Sequence, residues 1–340
     1  MTAVAVPIER LIVRAPNWLG DAVMALPALT AVRRAYPAST IVVAARAGVA
    51  PLFRERTTVA PNEVVLVDER GEAGELRAVR ADAVLLLPNS FRSAWVTRLA
   101  GIRERWGYRA SGRAWLLTRG VARPRGSGGL HQVHYYRELV RGLGIDPGDD
   151  ATPRLTPQLV TLEKADALLL RSGLEPGQRI AGFGPGAAYG TAKRWPPDRV
   201  AKVIAALGRN GTTSVLVGAA ADRDTGRAIE SALPPGARVV NLIGRTSLGE
   251  LIGVVARCAA FVSNDSGAMH VAAALGVPVT AIFGPTDERV TAPAAAGPAD
   301  VIVRDVFCRP CLLRECPIDH RCMKRIDVDT ILKSVSSHLG

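Results

Sequence analysis

The sequence has no apolar run that approaches the ~20 residues an α-helix needs to cross a bilayer. Its start, M-T-A-V-A-V-P-I-E-R, lacks the basic segment followed by an apolar core that marks a secretory signal. Internal repeats and low-complexity blocks are also missing, although 33 glycines and 23 prolines are spread along the chain. These absences indicate a soluble globular protein. We expect it in the cytoplasm, where contact with a membrane surface stays open.

Acidic residues are scarce in one segment. Between Asn89 and Arg125 the only acid is Glu104, and the segment carries +8 of the chain's formal net charge of +12. The excess predicts a polyanionic partner: nucleic acid, an anionic lipid surface or a phosphorylated glycolipid. A solvated arginine-rich face is the alternative. It accounts for 38 arginines against 5 lysines in the whole chain, but not for the missing acids. The nine arginines of the segment are Arg92, Arg98, Arg103, Arg105, Arg109, Arg113, Arg119, Arg123 and Arg125.

The 340 residues, 48% of them hydrophobic, suffice for two domains that each bury a core. Apolar runs alternate with helical patterns, which predicts an α/β fold with two Rossmann-like, doubly wound parallel sheets. The expected strands are Arg10–Ala15, Thr40–Ala45, Glu63–Val67 and Ala83–Leu87, then Arg179–Phe183, Thr213–Val217, Val239–Leu242, Ala259–Ser263, Val279–Phe283 and Val301–Val303. A single helix is predicted over Ala22–Tyr36, and a loop over Pro88–Trp95.

The segment Ile145–Gln158 is rich in Pro, Gly and Asp and is the best candidate for a linker. It predicts a first domain at 1–158 and a second at 159–340. The two sheets are expected to face a central cleft with their carboxyl edges, which suits the joining of two substrates. The last helix, 327–339, is a candidate to pack back on the first domain.

The stretch Ala259–Asp287 predicts a buried strand, a polar turn, a short helix and a second strand. Bare N–H groups at such a helix start form a seat for a phosphate or diphosphate. An ordinary β–α turn with Ser266 as N-cap and a structural His270 is the alternative. The turn and the helix carry Asn264, Asp265, Ser266, Gly267 and His270.

Asp21 follows the first strand in a turn at the sheet's carboxyl edge. A carboxylate there can accept the proton of an attacking sugar hydroxyl, or it can complement the dipole of the next helix. The run Gly184–Gly190 superficially resembles a dinucleotide fingerprint, but the loop continues to Lys193-Arg194 before the next helix begins. Such a loop suits the neutralisation of a diphosphate better than NAD binding, with a solvated surface loop as the alternative.

Asp222 and Asp224 form a D-x-D pattern after a strand. The pattern fits a metal-bound nucleotide-sugar, a hydrogen bond to a ribose diol, or a helix cap. The similar pattern at Asp327 and Asp329 starts the last helix and indicates capping.

Four of the five cysteines fall in one late segment with the spacing C-x2-C-x4-C-x5-C: Cys308, Cys311, Cys316 and Cys322. Together with His320 they are candidates for a structural zinc or iron–sulfur site. A reduced loop or a redox-labile disulfide pair fits about as well. No catalytic role is needed for the segment, and Cys258 is expected in the core.

Several of these segments together resemble one family. The runs R-A-P-N-W-L-G-D-A-V-M-A-L-P-A-L, G-T-A-K-R-W-P, N-D-S-G-A-M-H-V-A-A-A-L-G-V-P and F-G-P-T-D resemble the ADP-heptose:lipopolysaccharide heptosyltransferases, glycosyltransferase family 9. The N-W-L-G-D opening and the late cysteine segment look most like the heptosyltransferase II members. The resemblance extends from Leu11 to about Arg325, although Val49–Gln158 contributes little to it.

The resemblance implies a GT-B fold, with the acceptor bound by the first domain and the nucleotide-sugar by the second. It implies an inverting, metal-independent transfer of L-glycero-D-manno-heptose from ADP-heptose to the first heptose of the lipopolysaccharide inner core. No cofactor is required. The anionic acceptor implies a cytoplasmic enzyme that is peripheral at the inner leaflet of the inner membrane.

Carried over residue by residue, Asp21 matches the general base, and Lys193 matches the lysine that steadies the diphosphate leaving group. The other donor-binding positions are Asp265, Ser266, Gly267 and His270 for phosphates and heptose, Asp222 for ribose, and Gly244 and Thr246 beside adenine. The expected acceptor-binding residues are Asn17, Asn89, Arg92, Arg109 and Arg113. Ala187-Ala188 stand where relatives often carry a hydroxyl, so the hydrogen bonding there departs from the family pattern.

Three alternatives stay open. The nearest is heptosyltransferase I, or a related GT-B transferase that uses another nucleotide-sugar. An NAD-dependent oxidoreductase would use Gly184–Gly190. A basic nucleic-acid-binding protein would explain the arginines but leaves Asp21, Lys193 and the Asp265 turn without a role, so we expect no nucleic-acid partner.

Overall fold

The computed structural model describes residues 8–124, 126 and 128–340, and Arg125 of the arginine segment therefore lies outside the described residues. The chain forms two compact units, one ending at Ala151 and one running from Thr152 to Gly340. This division falls inside the predicted linker, a few residues before the boundary expected after Gln158. No helix in the described part of the chain is long and apolar enough to cross a membrane.

The first unit is built around a six-stranded parallel sheet. Its strands are β1 (Arg10–Arg14), β2 (Thr40–Ala45), the separate two-residue β3 (Arg56–Thr57), β4 (Glu63–Leu66), β5 (Ala83–Leu86), β6 (Glu104–Tyr108) and β7 (Arg119–Val121). Its helices are α1 (Leu19–Met24), α2 (Leu26–Ala35), α3 (Glu72–Ala78), α4 (Phe91–Leu99) and α5 (Gln132–Gly142), with 3-10 turns at Ala50–Arg54 and Ala114–Leu116.

The second unit repeats this plan. Its strands are the short β8 (Leu155–Thr156), β9 (Ile180–Gly184), β10 (Thr213–Leu216), β11 (Val239–Asn241), β12 (Ala260–Asn264), β13 (Val279–Ile282) and β14 (Ala299–Ile302). Its helices are α6 (Leu159–Arg171), α7 (Pro197–Arg209), α8 (Arg223–Ala232), α9 (Leu248–Ala256), α10 (Gly267–Ala274), α11 (Glu288–Thr291), α12 (Arg321–Lys324) and α13 (Val328–Leu339), with 3-10 turns at Thr191–Lys193 and Ala220–Asp222.

Both sheets have the same doubly wound order. The first runs β4-β2-β1-β5-β6-β7 and the second β11-β10-β9-β12-β13-β14. If the strands of each sheet are counted in chain order, the third strand of the sheet lies outermost, then the second and the first, followed by the fourth, fifth and sixth. This is the Rossmann order, and it places a topological switch point between β1 and β5 and another between β9 and β12. Ligands of such sheets bind beside the loops that leave these strands at their carboxyl ends. The prediction of two doubly wound parallel sheets is confirmed.

The central strands are continuous apolar runs because helices cover both faces of each sheet. Every residue of β5 (A-V-L-L) and of β9 (I-A-G-F-G) is buried. The last helix, α13, is the segment that the sequence analysis made a candidate to pack back on the first domain. It places Ile331 and Val335 in the same core cluster as Val203 and Ile204 of α7, so its apolar face belongs to the core of the second unit.

Three local predictions differ from the structure. Pro88–Trp95 was predicted as a loop, whereas α4 begins at Phe91 because Ser90 caps it, its Oγ accepting from the Ser93 amide at 3.2 Å. The single helix predicted over Ala22–Tyr36 is divided into α1 and α2, and Pro27 lies in the first turn of α2, where its missing N–H is tolerated. Strands β6 and β7 were not predicted.

Candidate active site

A buried ion pair lies at the switch point of the second sheet. Lys193 ends the 3-10 turn that follows β9, and Asp265 directly follows β12. The ammonium Nζ of Lys193 is 2.6 Å from Oδ2 of Asp265, and the two residues are only 9% and 6% exposed. Thr286, after β13, donates its hydroxyl to the same carboxylate oxygen at 2.7 Å. The loops after three neighbouring strands therefore meet at one carboxylate, which fixes the position of the lysine ammonium.

The ring of Tyr189 covers the lysine from another side. Nζ of Lys193 lies 4.8 Å from the centroid of this ring, a distance at which the π-face attracts a cation. An ammonium has three N–H donors, and Asp265 uses one of them. The remaining donor capacity is available to an anionic oxygen, so the pair can present a positioned hydrogen-bond donor at the carboxyl edge of the sheet.

A second ion pair follows β10. Oδ1 of Asp222 accepts from the guanidinium of Arg194 at 3.1 Å, and its Oδ2 accepts from the amide of Ala219 at 3.2 Å. A Cβ on Gly186 would lie 2.2 Å from the Asp222 carboxyl carbon, so this close approach of loop and carboxylate requires glycine. The D-x-D partner, Asp224, pairs instead with Arg227 on its own exposed helix face, and the two carboxylates therefore have separate roles.

The helix α10 starts at the predicted anion seat. Ser266 is in extended conformation at the N-cap position, but its hydroxyl contacts the hydroxyl of Ser263 at 3.1 Å and makes no side-chain cap for the helix amides. Asn264 fixes the turn before α10, because its side chain donates to the carbonyl of Pro185, in the loop after β9, at 2.7 Å. His270 is 4% exposed, one turn further in. The N–H groups at Gly267 can thus meet an anion as the sequence predicts.

Gly244 and Thr246 follow β11. Gly244 has φ +68°, a left-handed backbone that favours glycine, and its carbonyl accepts from the guanidinium of Arg223 at 2.9 Å. The Thr246 hydroxyl oxygen is enclosed and has no hydrogen-bond partner among the described residues. Both residues lie at the carboxyl edge of the sheet, two strands from the Lys193–Asp265 pair.

The cysteine-containing segment braces the loops of this site. The Tyr189 hydroxyl donates to the carbonyl of Leu312 at 2.7 Å, and the amide of Ala192 donates to the carbonyl of Arg314 at 3.0 Å. Arg309, whose side chain is 7% exposed, donates to the carbonyls of Gly284 at 2.7 Å and Thr286 at 2.9 Å. The segment therefore contacts both the Lys193 loop and the Thr286 loop.

The structural metal site predicted from the cysteine spacing is not supported. Within residues 8–124, 126 and 128–340, no group of three or more His, Cys, Asp or Glu side chains could hold a metal ion. All five cysteines are free. Cys322 is buried in the core, whereas Cys311 is exposed. The physical role of the segment is instead the bracing described above.

In the first unit, Asp21 lies in the first turn of α1, beyond the end of β1. The Tyr136 hydroxyl of α5 is 3.5 Å from its Oδ1. Burial, and then the charge of Asp21, raises the pKa of Tyr136 well above its ordinary value, so this hydroxyl stays protonated at neutral pH. Asn17 precedes Asp21, and its side-chain oxygen accepts from Arg14 at 3.0 Å. Arg14 is held in turn by buried Glu72, at 2.6 Å.

The loop after β5 lies on the other side of the first switch point. Its Asn89 donates to the Tyr135 hydroxyl at 2.8 Å. Arg113 was predicted to bind the acceptor, but it is fully buried and donates to the carbonyl of Tyr108 at 3.0 Å and to the hydroxyl of Ser93 at 2.8 Å. Burial lowers the pKa of Arg113 to about 10, so it remains a cation at neutral pH. Its position makes it a support for the Asn89 loop.

The two other predicted arginines are at the surface. Arg92 has a side chain that is 48% exposed and pairs with Glu72 at 3.5 Å. Arg109 is exposed, and its aliphatic stem covers Gly120. Both therefore keep guanidinium groups within reach of solvent and of an anionic ligand.

Sequence reasoning missed three residues of these sites. Thr286 stands in the quoted F-G-P-T-D run, but nothing local shows that it bonds Asp265. Tyr136 carries only a weak signal, its place on the buried face of an amphipathic helix. Arg309 gives no signal, because its partners are backbone carbonyls of a loop more than twenty residues away.

Comparison with known proteins agrees with this geometry. The model of glycosyltransferase family 9 (heptosyltransferase) matches residues 73–321. The chain is 35% identical to lipopolysaccharide heptosyltransferase 2 of Escherichia coli K12, over 84% of this chain and 85% of that protein. It is 33% identical to lipooligosaccharide heptosyltransferase 2 of Haemophilus influenzae, over 83% and 85%. The solved structure of E. coli ADP-heptose LPS heptosyltransferase II superposes with a TM-score of 0.83 and 30% identity, covering 97% of this chain and 98% of that one.

Two doubly wound units, with a buried lysine at the second switch point, define the chain as a glycosyltransferase of GT-B type. Within that class the chain belongs to glycosyltransferase family 9, the heptosyltransferase family. The predicted family and fold are confirmed. The oxidoreductase and nucleic-acid-binding alternatives are not favoured, and the glycine-rich run packs against Asp222 instead of opening a helix.

Proposed function

We propose that this enzyme transfers L-glycero-D-manno-heptose from ADP-heptose, with inversion, to the first heptose of the lipopolysaccharide inner core. The observation that carries the proposal is the buried Lys193 at the second switch point of a family 9 chain whose relatives are named heptosyltransferase 2. The second unit would bind the donor and the first unit the acceptor.

At the donor end, Lys193 and the N–H groups at Gly267 would meet the charge that develops on the ADP leaving group. Preorganised donors of this kind are commonly worth ~3 kcal/mol of transition-state stabilisation each. Asp265 and Thr286 fix the ammonium beforehand, so little reorganisation is needed during the reaction. With the leaving group stabilised by a cation and a helix start, the transfer needs no metal bridge and no cofactor.

The remaining donor contacts follow from the strand ends. Ser266 and His270 flank the phosphates and heptose, Asp222 would accept from the ribose diol, and Gly244 and Thr246 would lie beside adenine. Gly244 and Thr246 follow β11 at the carboxyl edge of the sheet, where ligands of such sheets bind, and this position supports the last assignment.

At the acceptor end, Asp21 would accept the proton of the attacking heptose hydroxyl. The protonated Tyr136 hydroxyl keeps the carboxylate in place. Asn17, Asn89, Arg92 and Arg109 would contact the phosphates and Kdo carboxylates of the acceptor. Arg113 contributes by positioning the Asn89 loop.

Because the acceptor is an anionic glycolipid, we propose that the enzyme works in the cytoplasm, peripheral at the inner leaflet of the inner membrane. Cations near a membrane surface are attracted to anionic lipids by about 1 kcal/mol each. The exposed arginines in the described part of the Asn89–Arg125 segment are the groups available for that attraction.

The test is mass-spectrometric turnover of ADP-heptose with heptosyl-Kdo2-lipid A, with Kdo2-lipid A as the second acceptor. We expect one added heptose on the first acceptor only, and the same turnover in excess EDTA. Transfer to Kdo2-lipid A alone would assign the chain to the heptosyltransferase I reaction. Complete loss of activity in EDTA would contradict the metal-independent mechanism.

A further inference from the structure

Helix α4 carries large apolar side chains on its outer face. Phe91, Trp95 and Leu99 recur every fourth residue, which places them in one stripe along the helix. They are 41%, 40% and 47% exposed, while Ala94 and Val96 bury the opposite face in the core. A surface helix normally turns its apolar stripe inward. The outward stripe of α4 is therefore not explained by packing within this unit.

A fourth side chain extends the stripe into a compact surface. Trp115, from the 3-10 turn Ala114–Leu116, is 64% exposed. Its ring lies 6.1 Å from that of Phe91 and 6.4 Å from that of Trp95, and the rings of Phe91 and Trp95 are 6.3 Å apart. We call Phe91, Trp95, Leu99 and Trp115 the aromatic patch. Scattered exposed apolar residues are common, but contiguous ones mark an interaction surface.

Two exposed arginines accompany this patch. Arg98 lies on α4 between Trp95 and Leu99, and Arg103 follows the helix; both are exposed. Arg98 is close enough to Arg105 that its charge, after burial, lowers the pKa of Arg105. The only acid between Phe91 and Trp115 is Glu104, and its carboxylate accepts from Trp106 Nε1 at 3.1 Å and from Thr118 Oγ1 at 3.0 Å.

We propose that the aromatic patch, with Arg98 and Arg103, docks the enzyme on an anionic phospholipid surface. Tryptophan and phenylalanine rings insert at the level of lipid headgroups, and arginines attract anionic lipids. Stable attachment of a protein without a membrane span needs two such signals together, and α4 supplies both. The inference deepens the proposed function, since an enzyme that acts on a membrane-anchored acceptor gains from a docking face on the unit that binds it.

The test is co-sedimentation of the full chain with vesicles that contain phosphatidylglycerol and with vesicles of phosphatidylcholine alone. The variant Phe91→Ser/Trp95→Ser/Trp115→Ser removes the aromatic signal, and Arg98→Gln/Arg103→Gln removes the cationic one. Phe307→Ser is the matched control, because Phe307 is 80% exposed in the second unit and its ring also faces an arginine. The single variant Trp115→Ser repeats the test with minimal risk to folding, which thermal unfolding checks.

We expect the wild type and Phe307→Ser to sediment with phosphatidylglycerol vesicles, and the triple and double variants to lose about tenfold or more of that partition. Equal partition of wild type and triple variant would overturn the proposal. The proposal would also be overturned if the triple variant lost self-association, or lost binding to a single-stranded RNA oligomer, while its binding to vesicles stayed unchanged.

Turnover measurements distinguish a failure of this inference from a failure of the proposed function. The triple variant should keep the wild-type rate on a delipidated, water-soluble acceptor and lose rate only on acceptor embedded in vesicles. If the wild type turns over neither acceptor, the proposed function fails, and the vesicle partition still decides whether the patch docks on lipid.

Discussion

At the scale of single residues, Lys193 and Asp265 form a coupled ion pair. Because both side chains are buried, removal of either partner leaves an uncompensated charge, which commonly destabilises a protein by about 3–5 kcal/mol. Lys193→Met should therefore lower both the stability and the transfer rate, the latter by about 100-fold or more, and raise the donor KM. Urea unfolding and steady-state kinetics measure the two effects.

The double variant Lys193→Met/Asp265→Asn separates stability from chemistry. It removes both charges but keeps a side-chain oxygen that can accept from Thr286. We expect most of the stability to return while turnover stays low. Recovery of turnover in the double variant would show that Lys193 acts only structurally.

Asp21 tests the other end of the reaction. Asp21→Asn keeps the size of the side chain but cannot take a proton, so we expect transfer to be abolished while ADP affinity remains unchanged. Asp198→Asn is the control, since Asp198 is an acid on α7 with a side chain that is 60% exposed. Near-normal turnover of Asp21→Asn, measured by released ADP, would remove Asp21 as the base.

The residue scale also shows what sequence reasoning can reach. Asp21, Lys193 and Asp265 were placed by motifs at strand ends, and the structure brings the latter two within 2.6 Å. Arg113 was predicted to bind the acceptor because it lies in a segment of nine arginines. Its burial depends on the carbonyl of Tyr108 and the hydroxyl of Ser93, partners that only the folded chain assembles.

Elements were predicted well where the hydrophobic pattern is strong. The continuous apolar runs of β1, β2, β5, β9, β12 and β13 follow from burial on both faces. Strands β6 (E-R-W-G-Y) and β7 (R-G-V) were not predicted because arginine and glycine interrupt their apolar pattern. The pairing of β6 with β5, and of β7 with β6, supplies what local propensity does not. Helix α4 was mistaken for a loop because its apolar residues lie on both faces.

Gly190 tests whether the cysteine-containing segment braces the Lys193 loop. A Cβ at this position would lie 2.2 Å from the carbonyl oxygen of Arg314, so Gly190→Ala must push the two segments apart. We expect a several-fold rise in donor KM. Gly249→Ala, at a helix position where a Cβ meets nothing within 4 Å, is the matched control and should leave kinetics unchanged. Equal kinetics for Gly190→Ala and Gly249→Ala would show that the contact between the cysteine-containing segment and the Lys193 loop does not affect catalysis.

The cap of α13 gives a pH-dependent prediction. Asp327 accepts from the Thr330 amide at 2.7 Å, and bonds to Thr330 lower the pKa of Asp327 to about 2. Asp327→Ala should cost about 1 kcal/mol in urea unfolding at pH 7, whereas Asp329→Ala, in the same turn without that cap, should cost less.

The sign of the pH effect follows from the lowered pKa. The contribution of Asp327 is complete above the unfolded-state pKa of about 3.9 and is lost as the pH falls through about 2. The difference between wild type and Asp327→Ala should therefore shrink from pH 4 towards pH 2. A difference that is constant over this range would rule out the carboxylate as the capping group.

At the scale of the whole molecule, the chain repeats one sheet topology, and the candidate residues at the two switch points carry opposite charges. Both sheets place their candidate residues beside the strands of the switch point, but the first presents a carboxylate, Asp21, and the second a cation, Lys193. This division could be predicted from sequence, since it follows from which polar residues stand after the first and fourth strands of each half. The bracing of the second site by a segment near the C-terminus could not, because it rests on backbone hydrogen bonds.

The same division predicts where ADP protects the chain. All donor-binding residues of the proposal follow strands of the second sheet, so ADP should slow amide exchange at the loops after β9, β10, β11 and β12, and leave the Asn17–Asp21 turn unchanged. A ligand that binds the folded chain but not the unfolded chain stabilises the fold by about 2.7 kcal/mol when the free ligand concentration is 100 times Kd. ADP should therefore raise the melting temperature, whereas NAD should not. Hydrogen–deuterium exchange by mass spectrometry, with NAD as the control ligand, resolves the location. Protection centred on the Asn17–Asp21 turn would reverse the assignment of donor and acceptor to the two units.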